Sequence, residues 1–114
     1  MSSIPVTVVE MPQFLRQAED VWTADERAEF VDFIARNPDA GDVIRETGGV
    51  RKIRWRRKGS GKRGGVRVIY FYHNAGAPIF LLMIYAKAVR AEVSPDAKKA
   101  LAAFSARFKR TMGE

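Results

Sequence analysis

Four side chains in this sequence have surroundings that give them chemistry to do: Lys52, Arg54, Arg67 and Lys87. Lys52 and Arg54 stand two apart in Val50-Arg51-Lys52-Ile53-Arg54-Trp55-Arg56, Arg67 interrupts the apolar run Val66 to Tyr72, and Lys87 ends the run that begins at Ala77. Lysine and arginine so placed hold anions through charged hydrogen bonds, and when preorganised they stabilise negative charge gathering on phosphoryl oxygens. A guanidinium among Val, Ile and Tyr needs an anionic partner or backbone carbonyls around it, because burying it unsatisfied is costly. Clustered cations also lower one another's proton affinity, which makes Lys52 and Lys87 candidates for a general base. Paired-histidine catalysis is excluded, since His73 is the only histidine; at a strand end beside a turn it reads as a surface or packing residue. With no cysteine there is no thiolate nucleophile, disulfide or cysteine-ligated zinc, and the composition suits a reducing compartment, the cytoplasm by default.

The charge around these residues is unevenly spread. Residues 1–46 hold four basic and ten acidic side chains, residues 47–91 hold eleven Lys or Arg and no acid, and residues 92–114 hold five basic and three acidic, within a formal net charge of +7. A long acid-free cationic stretch repels itself, and a polyanion relieves that repulsion by releasing counterions, so nucleic acid is the expected partner. A solvated basic face kept for solubility is the plainer alternative, although such faces usually intersperse both signs.

These cations must be held by a small set of elements. Ile4 to Val9 reads as a first strand, closed by Glu10-Met11-Pro12. Met11, Phe14, Leu15, Ala18 and Trp22 recur at helical spacing, and Thr23 with Glu26 forms a capping box for a second helix. Ala24, Ala28, Val31 and Ile34 share a face of that helix, which should stop near Asn37-Pro38, and Phe30 and Phe33 read as core. Pro38 to Gly49 is rich in turn residues. Period-two spacing then puts Lys52, Arg54 and Arg56 on one face of a strand and Arg51, Ile53 and Trp55 on the other. A basic Gly-rich connection leads to a strand over Val66 to Tyr72, which pairs back as a hairpin. Pro78 to Lys87, apolar on both faces, reads as the most buried strand. Ser94-Pro95-Asp96 starts a last helix, with Ala97, Ala100, Leu101, Phe104, Phe108 and Met112 as its apolar stripe. The expected fold is α+β in the order β-α-α-β-β-β-α: an antiparallel sheet with two N-terminal helices and a C-terminal helix, helices on one face and the other face open.

Four segments in order carry a family likeness. Asn37-Pro38-x-x-Gly41-Asp42-Val43-Ile44, Thr47 to Trp55, Gly61-Lys62-Arg63-Gly64-Gly65-Val66-Arg67-Val68-Ile69-Tyr70 and Ile84-Tyr85-Ala86-Lys87 resemble the HigB-like branch of the RelE toxin superfamily. The likeness spans roughly residues 28–105 and implies a RelE-like fold. It also implies the toxin of a type II toxin–antitoxin system, a metal-independent endoribonuclease that enters the ribosomal A site, cleaves mRNA and is held inactive by a cognate antitoxin, often a helix-turn-helix protein. No cofactor and no metal are implied. The RNA's own 2′-hydroxyl would be the nucleophile, and basic side chains would serve as base, acid and charge clamp. By motif these fall on Lys52 and Arg54, on Arg67 and on Lys87. The sequence departs from the pattern at Ala88, where an arginine would follow that lysine, and at Ser94, where a tyrosine is often found. Arg51, Arg56, Arg57, Lys58, Lys62, Arg63 and Arg90 are expected to add RNA phosphate contacts through charge. Trp55 alternates away from Lys52 and Arg54 and reads as packing, while Tyr70, Tyr72 and Tyr85 are candidates to stack on bases.

Two other functions fit parts of the pattern. A ParE-like toxin, which binds DNA gyrase, would share the fold but needs no cationic cluster across strands. A non-catalytic nucleic-acid binder would place its charge on a helix-turn-helix, whereas the cations here fall on strands and loops. A chain of 114 residues with 46% apolar and 29% charged side chains is expected to fold as one domain over 1–114. Its longest apolar run, Ala77 to Ala86, is about half a membrane span, so no membrane partner is expected.

Overall fold

The computed structural model describes residues 4–55, 65–87 and 92–113. Its elements are β1 (Val8–Glu10), α1 (Pro12–Ala18), α2 (Ala24–Arg36), β2 (Asp42–Val43), β3 (Val50–Trp55), β4 (Val66–Phe71), β5 (Ile79–Ala86) and α3 (Pro95–Thr111). The strands form one sheet in the order β1-β5-β4-β3-β2. β1 lies parallel to β5, and the other neighbours are antiparallel. The α+β architecture is the expected one, with a short strand more than the period-two pattern marks. β2 falls inside the turn-rich segment, and a two-residue strand leaves too little alternation to be read.

Local signals set the helix boundaries. The Thr23 hydroxyl accepts from the Glu26 amide at 3.1 Å, and the Glu26 carboxylate accepts from the Thr23 amide at 2.8 Å. α2 ends at Arg36, with Asn37 as its cap before Pro38. The Ser94 hydroxyl accepts from the Ala97 amide at 3.1 Å, so the serine is spent on capping α3. α1 is shorter than its apolar spacing suggests and stops at Ala18, yet Trp22 still packs inward, 5.6 Å from Phe30 between ring centroids. On α2 the buried side chains are Phe30, Ile34 and Ala35; Ala24 and Ala28 are exposed, so the apolar face is rotated from the alanine-bearing one. The stripe of α3 ends at Phe108, and Met112 lies exposed beyond the helix.

The sheet is covered on both faces, contrary to the expectation of one open face. Phe14, Trp22, Phe30 and Ile34 of the N-terminal segment pack with Val66, Val68, Tyr70, Ile79, Leu81 and Ile84. Leu101, Phe104 and Phe108 of α3 pack with Val50, Ile69, Phe71, Leu82 and Met83 on the opposite face. Opposite faces follow from β4, whose even and odd residues divide between the two clusters. The physical reason is the aromatic stripe of α3: Phe104 and Phe108 each pack edge-on against Phe71 and Phe80, at centroid distances from 5.4 to 6.0 Å. Between β4 and β5 the register slips, pairing Ile69 with Met83 but Tyr70 with Leu81. Leu82 is thus an extra bulged residue, which lets it and Met83 both face α3. Every residue of β4 is buried, whereas Phe80 of β5 is partly exposed, so β4 rather than β5 is the most enclosed strand.

Candidate functional site

α3 covers only part of its face. The cross-strand row Val50, Phe71 and Phe80 lies beneath Phe104 and Phe108. Two residues along β3 comes Lys52, opposite Ile69, and two further comes Arg54, opposite Arg67, which is itself opposite Tyr85. Period two keeps these side chains on the α3 face. Lys52, Arg54 and Arg67 there line one open depression of about 460 Å³ together with Ala40, Gly41, Asp42 and Ile53.

Arg54 and Arg67 are direct cross-strand partners, a pairing of like charges that destabilises an antiparallel ladder. Arg67 is 7% exposed. Burial, and then the charge of Arg54, pull its guanidinium below its ordinary value, while Tyr85 opposes the shift. An arginine so lowered still stays charged at neutral pH, because its starting value is so high. The arrangement therefore presents concentrated, partly desolvated positive charge at the floor and rim of a cleft, which suits a phosphate.

The wall on the β2 side is fixed by residues of the other face. Tyr70 is fully buried, and its hydroxyl accepts from the Gly41 amide at 2.8 Å. Burial is the main cause that pushes the Tyr70 phenol up, so the group stays neutral. Arg51 Nη1 donates to the carbonyls of Gly41 at 2.7 Å and Asp39 at 3.2 Å. Its guanidinium is bound to this loop on the side away from Lys52 and Arg54, an environment different from the RNA-facing one expected of it.

Of the residues singled out from the sequence, Lys52, Arg54 and Arg67 are brought together. Lys87 lies exposed just beyond β5, where its amide donates to the Gly65 carbonyl at 3.2 Å, and it does not line the depression. Arg56, Arg57, Lys58, Lys62, Arg63 and Arg90 lie outside the described residues. Trp55 packs against Phe30 and Phe33, at 5.1 and 5.0 Å between centroids, as its alternation implied. His73 stacks on Phe71 and meets Phe108 edge-on, a packing role. Tyr70 is not placed to stack on a base, and Tyr72 packs against the same core; Tyr85 belongs to the Arg67 row. Asp42 was not singled out by the sequence. Its place beside Lys52 depends on the pairing of β2 with β3, which no local spacing encodes.

Comparison with known proteins bears on the fold and the family. The structure is similar to that of the E. coli toxin RelE, solved in the free state as a mutant with two arginines replaced by alanine. The TM-score is 0.56 at 12% sequence identity, and the match covers 88% of this chain and 96% of that one. At that identity the likeness concerns the fold. No helix among the described residues is long and apolar enough to cross a membrane. The family model of the RelE toxin of the RelE/RelB toxin–antitoxin system matches residues 16–114, and with most of its length so matched the chain belongs to the RelE toxin family.

Proposed function

We propose that this chain is the toxin of a type II toxin–antitoxin pair, one that cuts mRNA on the ribosome in the cytoplasm and is neutralised by a cognate antitoxin, a helix-turn-helix protein in the HigB-like arrangement that the four sequence segments favour. The observation that carries this reading is the Arg54–Arg67 pair, two like charges held side by side with one of them buried. An anion seated between two such guanidiniums can accept charged hydrogen bonds from both and offsets their mutual repulsion.

In the reaction the 2′-oxygen of the RNA attacks the adjacent phosphorus, its proton passes to a base, and the bond to the 5′-oxygen breaks as that oxygen takes a proton from an acid. The products are a 2′,3′-cyclic phosphate and a 5′-hydroxyl. Arg54 and Arg67 stabilise the charge that gathers on the phosphoryl oxygens. Lys52, in the lining of the depression, is the candidate for one proton transfer, Lys87, two residues beyond the Tyr85 that pairs with Arg67, is the candidate for the other, and the step needs no cofactor. The remaining cations of residues 47–91 add phosphate contacts that act through charge.

The test is cleavage of mRNA on programmed ribosomes by the purified chain. The wild type should cut, and Arg67→Ala should slow cutting by about 100-fold or more, the effect of removing one preorganised donor. A folded wild-type chain that leaves mRNA intact, with ribosomes and without, would reject the reading, and inhibition of DNA gyrase in the same preparation would put the ParE-like activity in its place.

A further inference from the structure

Among the described residues, one carboxylate, that of Asp42, sits in the lining of the cationic depression. β2 pairs with β3 so that Asp42 lies directly across from Lys52, which puts its carboxylate on the face of Lys52 and in the lining of the depression that holds Arg54 and Arg67. A surface that only bound phosphates would be weakened there, since the carboxylate repels the backbone the cations attract. Nor is Asp42 on a loose turn. The preceding Gly41 is held through its amide by Tyr70 and through its carbonyl by Arg51, and a Cβ at Gly41 would lie 2.8 Å from the Tyr70 hydroxyl and 2.9 Å from the Lys52 carbonyl. The backbone that carries the carboxylate is thus anchored, at Gly41, by groups on the far side of the sheet.

Ladder spacings give its distance from the phosphate clamp. Asp42 is two strands and one pair step away from Arg67, about 12 Å between backbones at about 4.8 Å per strand and about 6.7 Å per two residues. That separation suits the two ends of one nucleotide, with its phosphate at the arginines and its base at the carboxylate. An ionised carboxylate only accepts hydrogen bonds, so the group it meets must donate them.

We propose that Asp42 is a specificity-determining residue that reads a nucleobase through paired N–H donors; the inference rests on the RNA-cleaving reading above. On a single-stranded base the Watson–Crick edge is free to be read. Guanine alone presents two neighbouring donors on that edge, N1–H and N2–H, and they match the two carboxylate oxygens. Adenine and cytosine set a ring-nitrogen acceptor beside their amino group, and uracil flanks its one N–H with two carbonyls, so each would point a lone pair at the carboxylate. Asp42 therefore selects guanine next to the scissile phosphate.

The experiment is to map cleavage sites on ribosome-bound mRNAs that carry each of the four bases at every position of the cut codon, for the wild type, Asp42→Asn and the control Asp39→Asn. Asp42 is exposed on an edge strand and Asn is isosteric, so the fold is preserved, which a thermal midpoint verifies. The expected result is a wild-type preference for guanine at one position that falls about 10- to 100-fold in Asp42→Asn, the size of one lost bidentate base contact, and is unmoved in Asp39→Asn. A wild type that cuts without guanine preference, an unchanged preference in Asp42→Asn, or an equal loss of rate at all four bases would each overturn the assignment while leaving RNA cleavage intact. A wild type that does not cut at all would overturn the cleavage reading and this one with it.

Discussion

Gly41 shows how a single missing side chain supports the site. The Tyr70 hydroxyl and the Lys52 carbonyl approach it so closely that any Cβ would meet them at 2.8 and 2.9 Å, and one of the two is backbone that cannot swing aside. Gly41→Ala should therefore push the loop off Tyr70 and disturb Asp42 and Lys52 together, lowering both the thermal midpoint and RNA binding. Tyr70→Phe makes a useful comparison, because it keeps the ring and only leaves the Gly41 amide without its acceptor, at a cost of about 1–3 kcal/mol. If Gly41→Ala unfolds at the wild-type temperature, the loop is not braced as described. The sequence shows Gly41 beside Pro38 in a turn-rich stretch, but the reason it is glycine lies 29 residues away in Tyr70. Arg51 is opaque for the same reason. Composition counts it among the cations of an acid-free stretch, and only the loop carbonyls above it reveal that its charge is directed into the protein.

Among the elements, those with local signals were legible and those defined by distant pairing were not. The Thr23–Glu26 box and the Ser94 cap mark helix starts within a few residues, and alternation assigns Lys52 and Arg54 to one face of β3. β2, the bulge at Leu82 and the side of the sheet that α3 covers all depend on partners far along the chain. The docking of α3 illustrates the point, because Ser105 interrupts its apolar face and yet is buried. The Ser105 hydroxyl donates to the Thr47 carbonyl, Lys109 Nζ donates to the Gly48 carbonyl at 2.7 Å, and Lys98 Nζ lies 3.4 Å from a Glu46 carboxylate oxygen. All three grip the turn before β3, where Glu46, Gly48 and Gly49 have φ of 64°, 74° and 111°. Within that turn the Thr47 hydroxyl donates to the Ile44 carbonyl at 2.7 Å and accepts from the Val50 amide at 3.1 Å. Ser105→Ala leaves a buried carbonyl short of its donor and should cost about 1–3 kcal/mol. It should lower the denaturant midpoint at constant slope. A midpoint equal to that of the wild type would mean that apolar packing alone seats the helix. The ion pair of Lys98 is exposed at Glu46 and adds little to this balance.

Across the whole molecule, an acidic surface and a cationic one lie on different sides of the sheet among the described residues. Asp25, Glu29 and Asp32 are exposed on α2, which packs on one side of the sheet, whereas Lys52, Arg54 and Arg67 face the depression on the other. This sorting should turn the cationic side toward a polyanion as the two approach, and it makes association sensitive to ionic strength. Counterion release predicts a slope of about −0.7 in log K against log salt for each phosphate neutralised on single-stranded RNA. With three cations around the depression the slope should be at least as steep as about −2, and steeper as further Lys or Arg engage. Arg67→Ala should reduce it by about 0.7, because one phosphate contact is lost. Charge reversal of Asp32 on the opposite side should leave the slope of specific binding nearly unchanged, since that side chain pairs with Arg36 away from the cleft. Equilibrium binding to a short single-stranded RNA over a salt series measures all three. A slope near zero, or one that Arg67→Ala does not alter, would mean that the cationic face is not the contact surface; the target would then be held through the protein's neutral or acidic surfaces, as binding to a protein such as gyrase requires.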